Sequence, residues 1–226
     1  MDKAWRVAPS TADVPLLADA TLVATEQVRS LIFSQDLLPG EQIRQDNLAL
    51  RLKISRSPLR EALRVLTTEG LVQHVPNQGY FVTRLRREEL GQIYLMRAVL
   101  ERELLYRLPD VSAETIEELR RQNRLMAEFA DEASITKLLA INRRFHSIIL
   151  DAPGLKMLAE AVARLWSLSE AYRSVYLWSP EHRSRVVAEH ELMIEAIEHH
   201  DVENLVRLAA MHRAASENAI FSFLPS

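Results

Sequence analysis

Leu48-Ala49-Leu50-Arg51-Leu52-Lys53-Ile54-Ser55-Arg56-Ser57-Pro58-Leu59-Arg60-Glu61-Ala62-Leu63 is the stretch on which the fold turns. Leu48, Ala49 and Leu52 share one side of a short helix that the spacing puts at about 45–52. Three residues later a second helix opens around Ser55 to Pro58. Pro58 suits a first helical turn, where its missing N–H has no intrahelical bond to lose, and Ser55 or Ser57 can cap the free donors. Leu59, Leu63 and Leu66 then recur at i, i+4 and i+7 until Gly70 ends the helix. Arg56, Arg60 and Arg64 fall at i, i+4 and i+8 on the opposite side, three guanidinium groups in one stripe. Such a helix fits a major groove. Its forks suit guanine edges and phosphates, and Arg56, Ser57 and Arg60, near the N-terminus, reach deepest. Arg44 and Lys53, at either end of the first short helix, are placed for phosphate contacts that position without reading sequence. A solvated face is the commoner explanation of a lone arginine stripe; its coincidence with a tight helix-turn-helix and a following hairpin favours the groove reading.

Upstream, Leu17 to Phe33 reads as an amphipathic helix ended by Leu37-Leu38-Pro39-Gly40, with 1–16 as a flexible extension. Downstream, Leu71 to Val75 and Tyr80 to Thr83 flank Pro76-Asn77-Gln78-Gly79, the signature of a β-hairpin, and Gly79 lets the tip approach a backbone closely. An isolated hairpin is marginal, so it is expected to pack on the preceding helices as a wing. From Arg84 onward the periodicity is helical only. A charged hinge, Arg84 to Glu89, leads to six stretches at about 88–108, 112–130, 134–150, 154–177, 181–200 and 202–222, separated by Pro109-Asp110, Asp131 to Ser134, Pro153-Gly154, Ser179-Pro180 and Asp201. The expected fold is therefore mainly α: a winged helix-turn-helix over 17–84 and an all-α bundle over 85–226.

Composition agrees. In 226 residues, 48% hydrophobic and 26% charged, there are five glycines and only 6% aromatics, which disfavours an all-β fold. The absence of cysteine removes disulfides, iron–sulfur clusters, thiolate zinc sites and a cysteine nucleophile. No signal-like segment or long apolar run is present, so a cytoplasmic address away from membranes is expected. The net charge of -3 conceals a local excess: residues 44–64 carry six basic side chains against Asp46 and Glu61. A globally acidic chain can still present a face that binds polyanions.

The quoted stretch, with Thr68-Glu69-Gly70-Leu71-Val72 and the wing Asn77-Gln78-Gly79-Tyr80-Phe81-Val82, resembles the winged helix-turn-helix of GntR-family transcriptional regulators. The resemblance implies operator contacts from Arg56, Ser57 and Arg60 and a wing glycine, Gly79, entering the minor groove. Gln78 stands where that wing often carries a basic residue.

Three of the seven histidines, His146, His190 and His212, fall on apolar-periodic helices, and Asn142 lies one turn before His146. Three imidazoles and an oxygen would suit a divalent ion, although a trio of ordinary core histidines arises easily. His182, His199 and His200 lie at helix ends and read as exposed. Tyr94 to Glu101, Asn142 to His146, His190 to Ile197 and Met211-His212 together resemble the FCD ligand-binding domain of the FadR subfamily. That resemblance implies zinc, nickel or a similar ion on Asn142, His146, His190 and His212, beside a small carboxylate effector. It also puts Arg97 in the effector cavity, either as a carboxylate clamp or, alternatively, in a structural salt bridge with Glu101 at i+4.

The function implied is a non-enzymatic transcriptional regulator, in the first instance a repressor. It would be a homodimer on an imperfectly palindromic double-stranded operator, controlled by an organic acid. A metal sensor is the nearest alternative. A metal-dependent hydrolase is disfavoured, because His190-Glu191 runs into Leu192-Met193-Ile194 rather than completing His-Glu-x-x-His, and no Gly-x-Ser-x-Gly elbow exists.

Overall fold

The computed structural model describes residues 13–129 and 135–223, and its internal contacts divide the chain into two units. One comprises the residues up to Ile32 together with Leu37–Thr83; the other comprises Arg84 onward together with Phe33–Asp36. Residues 1–12 of the expected extension and the expected break at Asp131 to Ser134 lie outside the described residues.

In the N-terminal unit the order is α1 (Asp13–Phe33), β1 (Gln42–Ile43), α2 (Gln45–Leu52), α3 (Arg56–Glu69), β2 (Val72–Val75) and β3 (Gly79–Val82). Helix α1 starts four residues earlier than the apolar pattern suggests, because Pro15 sits in its first turn, where no N–H is needed. Leu59, Leu63 and Leu66 of α3 are fully buried with Ala24, Val28 and Ile32 of α1 and Val82 of β3. Each such leucine contributes about 1.5–3 kcal/mol through removal from water. Arg29 Nη1 and Nη2 grip the Glu69 carboxylate at 2.7 and 3.0 Å, tying α1 to the end of α3.

The wing is more than a hairpin. Gln42 and Ile43 pair antiparallel with Phe81 and Tyr80, giving a three-stranded sheet in the order β1-β3-β2. Two residues after a Pro-Gly turn carry no alternation to read, so β1 has no sequence signal. The added strand gives the hairpin the third partner it needs. Neither Ser55 nor Ser57 caps α3: Ser55 occupies the N-cap with extended backbone, but its hydroxyl makes no capping bond.

The second unit contains α4 (Arg87–Leu105), α5 (Ala113–Glu128), α6 (Ile135–Asp151), α7 (Lys156–Leu177), α8 (Pro180–Glu198) and α9 (Val202–Phe223). Helix α4 packs on α7 and α9, α5 on α6 and α8, and α6 on α7. Leu104, Leu119, Phe145, Trp166, Met193, Ile194 and Leu205 meet in a continuous core. The stretch expected as a charged hinge is shorter than 84–89. Glu89 accepts the Arg86 amide at 2.8 Å and so draws 87–89 into the first turn of α4. Ser112, Ser179 and Asp201 side chains accept backbone N–H groups at the starts of α5, α8 and α9.

Candidate functional site

Two sites arise, one in each unit. In the first, the turn from α2 to α3 is only Lys53-Ile54-Ser55, and it closes because Lys53 adopts a left-handed backbone at φ 56°. The Lys53 and Ile54 amides return to the Leu50 and Ala49 carbonyls at 3.2 and 3.1 Å. This fixes α3 with Pro58, Leu59 and Leu63 inward and Arg56, Ser57 and Arg60 exposed. Arg44 is the exposed N-cap of α2 and Lys53 its exposed C-cap. The three arginines of the stripe are not equivalent. Arg56 Nε holds Asp46 at 2.8 Å across the helix-turn-helix, Arg64 pairs with Glu61 at 3.1 Å on its own helix, and Arg60 has no ion-pair partner among the described residues. At the wing, Pro76 and Asn77 take the central positions of a tight turn closed by Gln78 N–H donating to Val75 O at 3.0 Å, with Asn77 at φ 63°. Gly79 follows at φ 97°, and an added Cβ there would touch nothing within 4 Å, so its glycine requirement is conformational. Gln42 Nε2 donates to the Gln78 carbonyl at 2.8 Å and steadies the tip.

In the second unit, His146 on α6, His190 on α8 and His212 on α9 converge, one ligand nitrogen from each lying within 4.8 Å of the others. Phe145 stacks flat on His190 at 3.8 Å, and Trp166 lies 4.8 Å from His146, so apolar packing fixes two of the rings. His146 Nε2 and His190 Nε2 are 3.2 Å apart. Two nitrogens about 2.0–2.1 Å from one ion stand about 3.0 Å apart at right angles and about 3.4 Å apart in a tetrahedron, so this pair already has the required spacing. His212 Nδ1 donates to Glu189 Oε2 at 2.6 Å, which leaves its Nε2 lone pair free to bind a cation. Glu189 is held in turn by Arg185 at 2.6 Å; burial alone would raise its carboxyl, but the bonds from His212 and Arg185 keep it below the usual range. Burial also pushes His146 and His190 well below the ordinary imidazole value, helped by the neighbouring histidines, so both rings are neutral donors of electron pairs. Asn142 is buried on α6, and its Oδ1 has no hydrogen-bond partner. The three imidazoles suit a borderline divalent ion, and Asn142, one turn before His146 on α6, is the candidate oxygen ligand.

Arg97 on α4 does make the salt bridge to Glu101, through Nε at 2.8 Å, and its Nη1 is buried without a partner. Arg213 Nη1 and Trp166 Nε1 also donate to Glu101, at 3.1 and 2.8 Å. Burial would raise Glu101, but the Arg97 and Arg213 charges hold it below its normal value. A cavity of about 20 Å³, room for an ion or a water, is lined by Arg97, Glu101, His146, Trp166, His212 and Arg213. His182 is not simply exposed: it is half-buried, stacks on Tyr176 at 4.3 Å and bonds the Tyr176 carbonyl through Nδ1 at 2.9 Å. Sequence reasoning missed Glu101 as a shared acceptor, together with Trp166, Glu189 and Arg213. Of these, Glu189 and Arg213 adjoin His190 and His212, neighbours that could have drawn attention to them.

Comparison with known proteins gives consistent results. The model described as "Bacterial regulatory proteins, gntR family" matches residues 21–82, and that of the FCD domain matches residues 92–215. The chain is 28% identical to the gluconate operon transcriptional repressor of Bacillus licheniformis, covering 80% of this chain and 76% of that one. It is also 28% identical to the HTH-type transcriptional repressor GlaR of Escherichia coli, over 79% and 81%. Among solved structures, E. coli McbR/YncC superposes with a TM-score of 0.75 at 20% identity, covering 90% of this chain and 97% of that one, a shared fold. No helix among the described residues is long and apolar enough to cross a membrane.

Proposed function

Taking as premise that the chain belongs to the GntR family of bacterial regulatory proteins and carries an FCD domain, we propose that it is a repressor whose hold on its operator is set by a small carboxylate bound beside a divalent metal ion. It is a DNA-binding transcriptional regulator of that family, with repressors among its relatives. The observation that carries the proposal is the meeting of His146, His190 and His212, from three helices, next to a buried Arg97 with an unused donor. Three neutral imidazoles and Asn142 leave the charge of a divalent ion uncompensated, so an anionic group belongs in the remaining coordination positions, with Arg97 as its second contact. The B. licheniformis relative is named for a gluconate operon, and gluconate is a carboxylate.

On the DNA side, Arg56, Ser57 and Arg60 read base edges, Arg44 and Lys53 bind phosphates, and Gly79 brings the wing tip to the minor groove. Two copies would bind half-sites of an imperfect palindrome, the symmetry that a two-fold dimer imposes. Effector and metal act on DNA by favouring one arrangement of the dimer over another. The test is titration of zinc or nickel, with and without a panel of organic acids, into the full-length protein on its selected operator. The reading expects acid and metal together to change operator affinity and to raise the melting temperature synergistically, and His190→Ala to lose both. A full response to metal without any acid would replace it with metal sensing; retention of both responses in His190→Ala would overturn the metal centre.

A further inference from the structure

Helices α6 and α7 do not close completely on each other. The cavity of about 20 Å³ beside His146 and His212 shares His146, Leu150 and Trp166 with a second cavity of about 80 Å³, which Arg143 and Ser147 also line. That second cavity shares Asp151, Ala159 and Ala163 with a surface groove of about 350 Å³, bordered by Gly154, Lys156 and Glu160. The three spaces therefore lie in series between solvent and the histidines, each with three wall residues in common with the next. His190 is sealed at 1% exposure, whereas His146 is only half-buried and lines both inner cavities.

The gap has its cause in the sequence. Ala159 and Ala163, one turn apart on α7, offer only methyl groups to a space that α6 lines with Arg143, Ser147 and Asp151, at i, i+4 and i+8. Side chains so short leave a furrow where larger ones would interdigitate. Asp151 brings a carboxylate to its mouth, Ser147 a hydroxyl one turn deeper, about 5.4 Å along the axis, and His146 adjoins Ser147. A cation that sheds hydration water needs a replacement oxygen or nitrogen at each step, and these three supply it. Arg143 puts a positive charge on the same wall, but its guanidinium is drawn onto α7, donating to Glu170 at 2.7 Å, Ser167 Oγ at 3.0 Å and the Ala163 carbonyl at 3.3 Å. Glu170, which Arg173 also approaches at 3.8 Å, answers that charge. At the mouth Asp151 and Glu160 outnumber Lys156, so the local field favours a cation. The approach to His212 along α8 is less inviting: Glu189 covers it, and the Arg185 that holds Glu189 at 2.6 Å repels an incoming positive charge.

We propose that the furrow between α6 and α7, walled by Ser147 and Asp151 on one side and Ala159 and Ala163 on the other, is the passage by which a divalent cation reaches and leaves the three histidines. The proposal rests on the reading that those histidines bind such an ion, and it adds the route and the residues that set the rate of exchange.

The experiment is stopped-flow mixing of zinc with the metal-free full-length protein, and of the zinc-loaded protein with an excess of a chromophoric chelator. Ala163→Phe and Ala159→Phe put a ring in the furrow without touching a histidine. Each should slow uptake and release alike, by at least about tenfold, and leave the equilibrium affinity within about twofold, because a plug raises the barrier without altering the end states. The zinc-dependent rise in melting temperature should be kept. Asp151→Asn should slow uptake by about threefold at low ionic strength, with the difference fading as salt screens the mouth, and it keeps the test valid if the bulky variants do not fold. Unchanged rates in these variants overturn the passage. So does slower uptake in the phenylalanine variants that is matched by weaker affinity with release unchanged, since that marks a damaged site and not a blocked route. In both events zinc still binds and the metal reading stands; failure of the parent protein to bind zinc at equilibrium overturns both.

Discussion

On α3, Arg56 and Arg60 hold their guanidinium groups in solvent, whereas on α4 and α7 the same side chain, in Arg97 and Arg173, is buried against an indole ring. On the proposed function the difference is one of partner size. A polyanion as large as DNA brings its phosphates to an exposed cation and releases counterions on contact, so nothing is gained by burying the protein side. On the proposed reading the buried arginines serve a small acid, which has few charges and must be enclosed to be recognised, so its cations would wait in a low-dielectric interior at a cost in stability. Exposed and buried arginines should therefore respond very differently to loss of a partner.

The largest effect is expected at Glu101. Glu101→Gln removes the charge that Arg97 and Arg213 share and leaves the buried Arg97 and the partly buried Arg213 uncompensated; breaking such a network costs about 3–5 kcal/mol. Thermal unfolding followed by circular dichroism should show the C-terminal domain melting far earlier than in the parent. A loss below about 1 kcal/mol would mean that water reaches these arginines, and the contrast with α3 would collapse.

Acid gives the next effect. His146 and His190 titrate well below about 6.5 when folded and near that value when unfolded, so the unfolded chain takes up protons first and stability falls as pH drops below about 6.5. Each histidine contributes up to about 1.4 kcal/mol per pH unit in that window. Metal-stripped protein should lose stability between pH 6.5 and 5.5, and His146→Phe should flatten the dependence. Loss of stability on raising the pH instead would mean that these rings are charged in the folded state.

How much of this was legible follows the same division. The Leu59-Leu63-Leu66 repeat, Pro58 and Gly70 lie within fifteen residues, so α3 and its exposed arginines could be read from local periodicity. The three histidines were visible as residues on apolar helices, while their convergence depends on how α6, α8 and α9 pack, which no local pattern specifies. Arg97 invited a choice between clamp and salt bridge, and its guanidinium turns out to make the bridge with one nitrogen while leaving another idle. Arg173 was invisible: its meaning lies in Trp166 two turns away and in a glutamate already engaged by Arg143. Strand β1 failed for another reason, having two residues where alternation needs at least four.

At the exposed site, Arg60→Ala should cost about 1–3 kcal/mol in operator binding and relax base preference, since a groove-reading fork is lost with no buried partner left behind. Folding stability should hardly change. Lys53→Ala should instead weaken all DNA alike and lower the salt slope by about one. Fluorescence anisotropy on operator and scrambled duplexes separates the two; unchanged operator affinity and specificity in Arg60→Ala would mean that α3 does not read the groove.

The smallest effect is expected at Asp46, and it sharpens the comparison because it concerns a partner that an exposed arginine already has. Asp46 holds Arg56 at 2.8 Å, but their side chains are 63% and 76% exposed, so the pair is worth well under about 1 kcal/mol to the fold. On the proposed reading, docking on DNA would make Arg56 exchange this carboxylate for a phosphate or base edge and bring the Asp46 charge towards the phosphates. Asp46→Asn should therefore leave the melting temperature within about a degree and tighten binding to operator and scrambled DNA alike, by about threefold at low salt, with the gain fading as screening increases. Selective loss of operator binding would show that Asp46 sets the Arg56 rotamer for base reading. In that case the exposed site, like the buried one, would depend on a carboxylate of its own to aim its arginine.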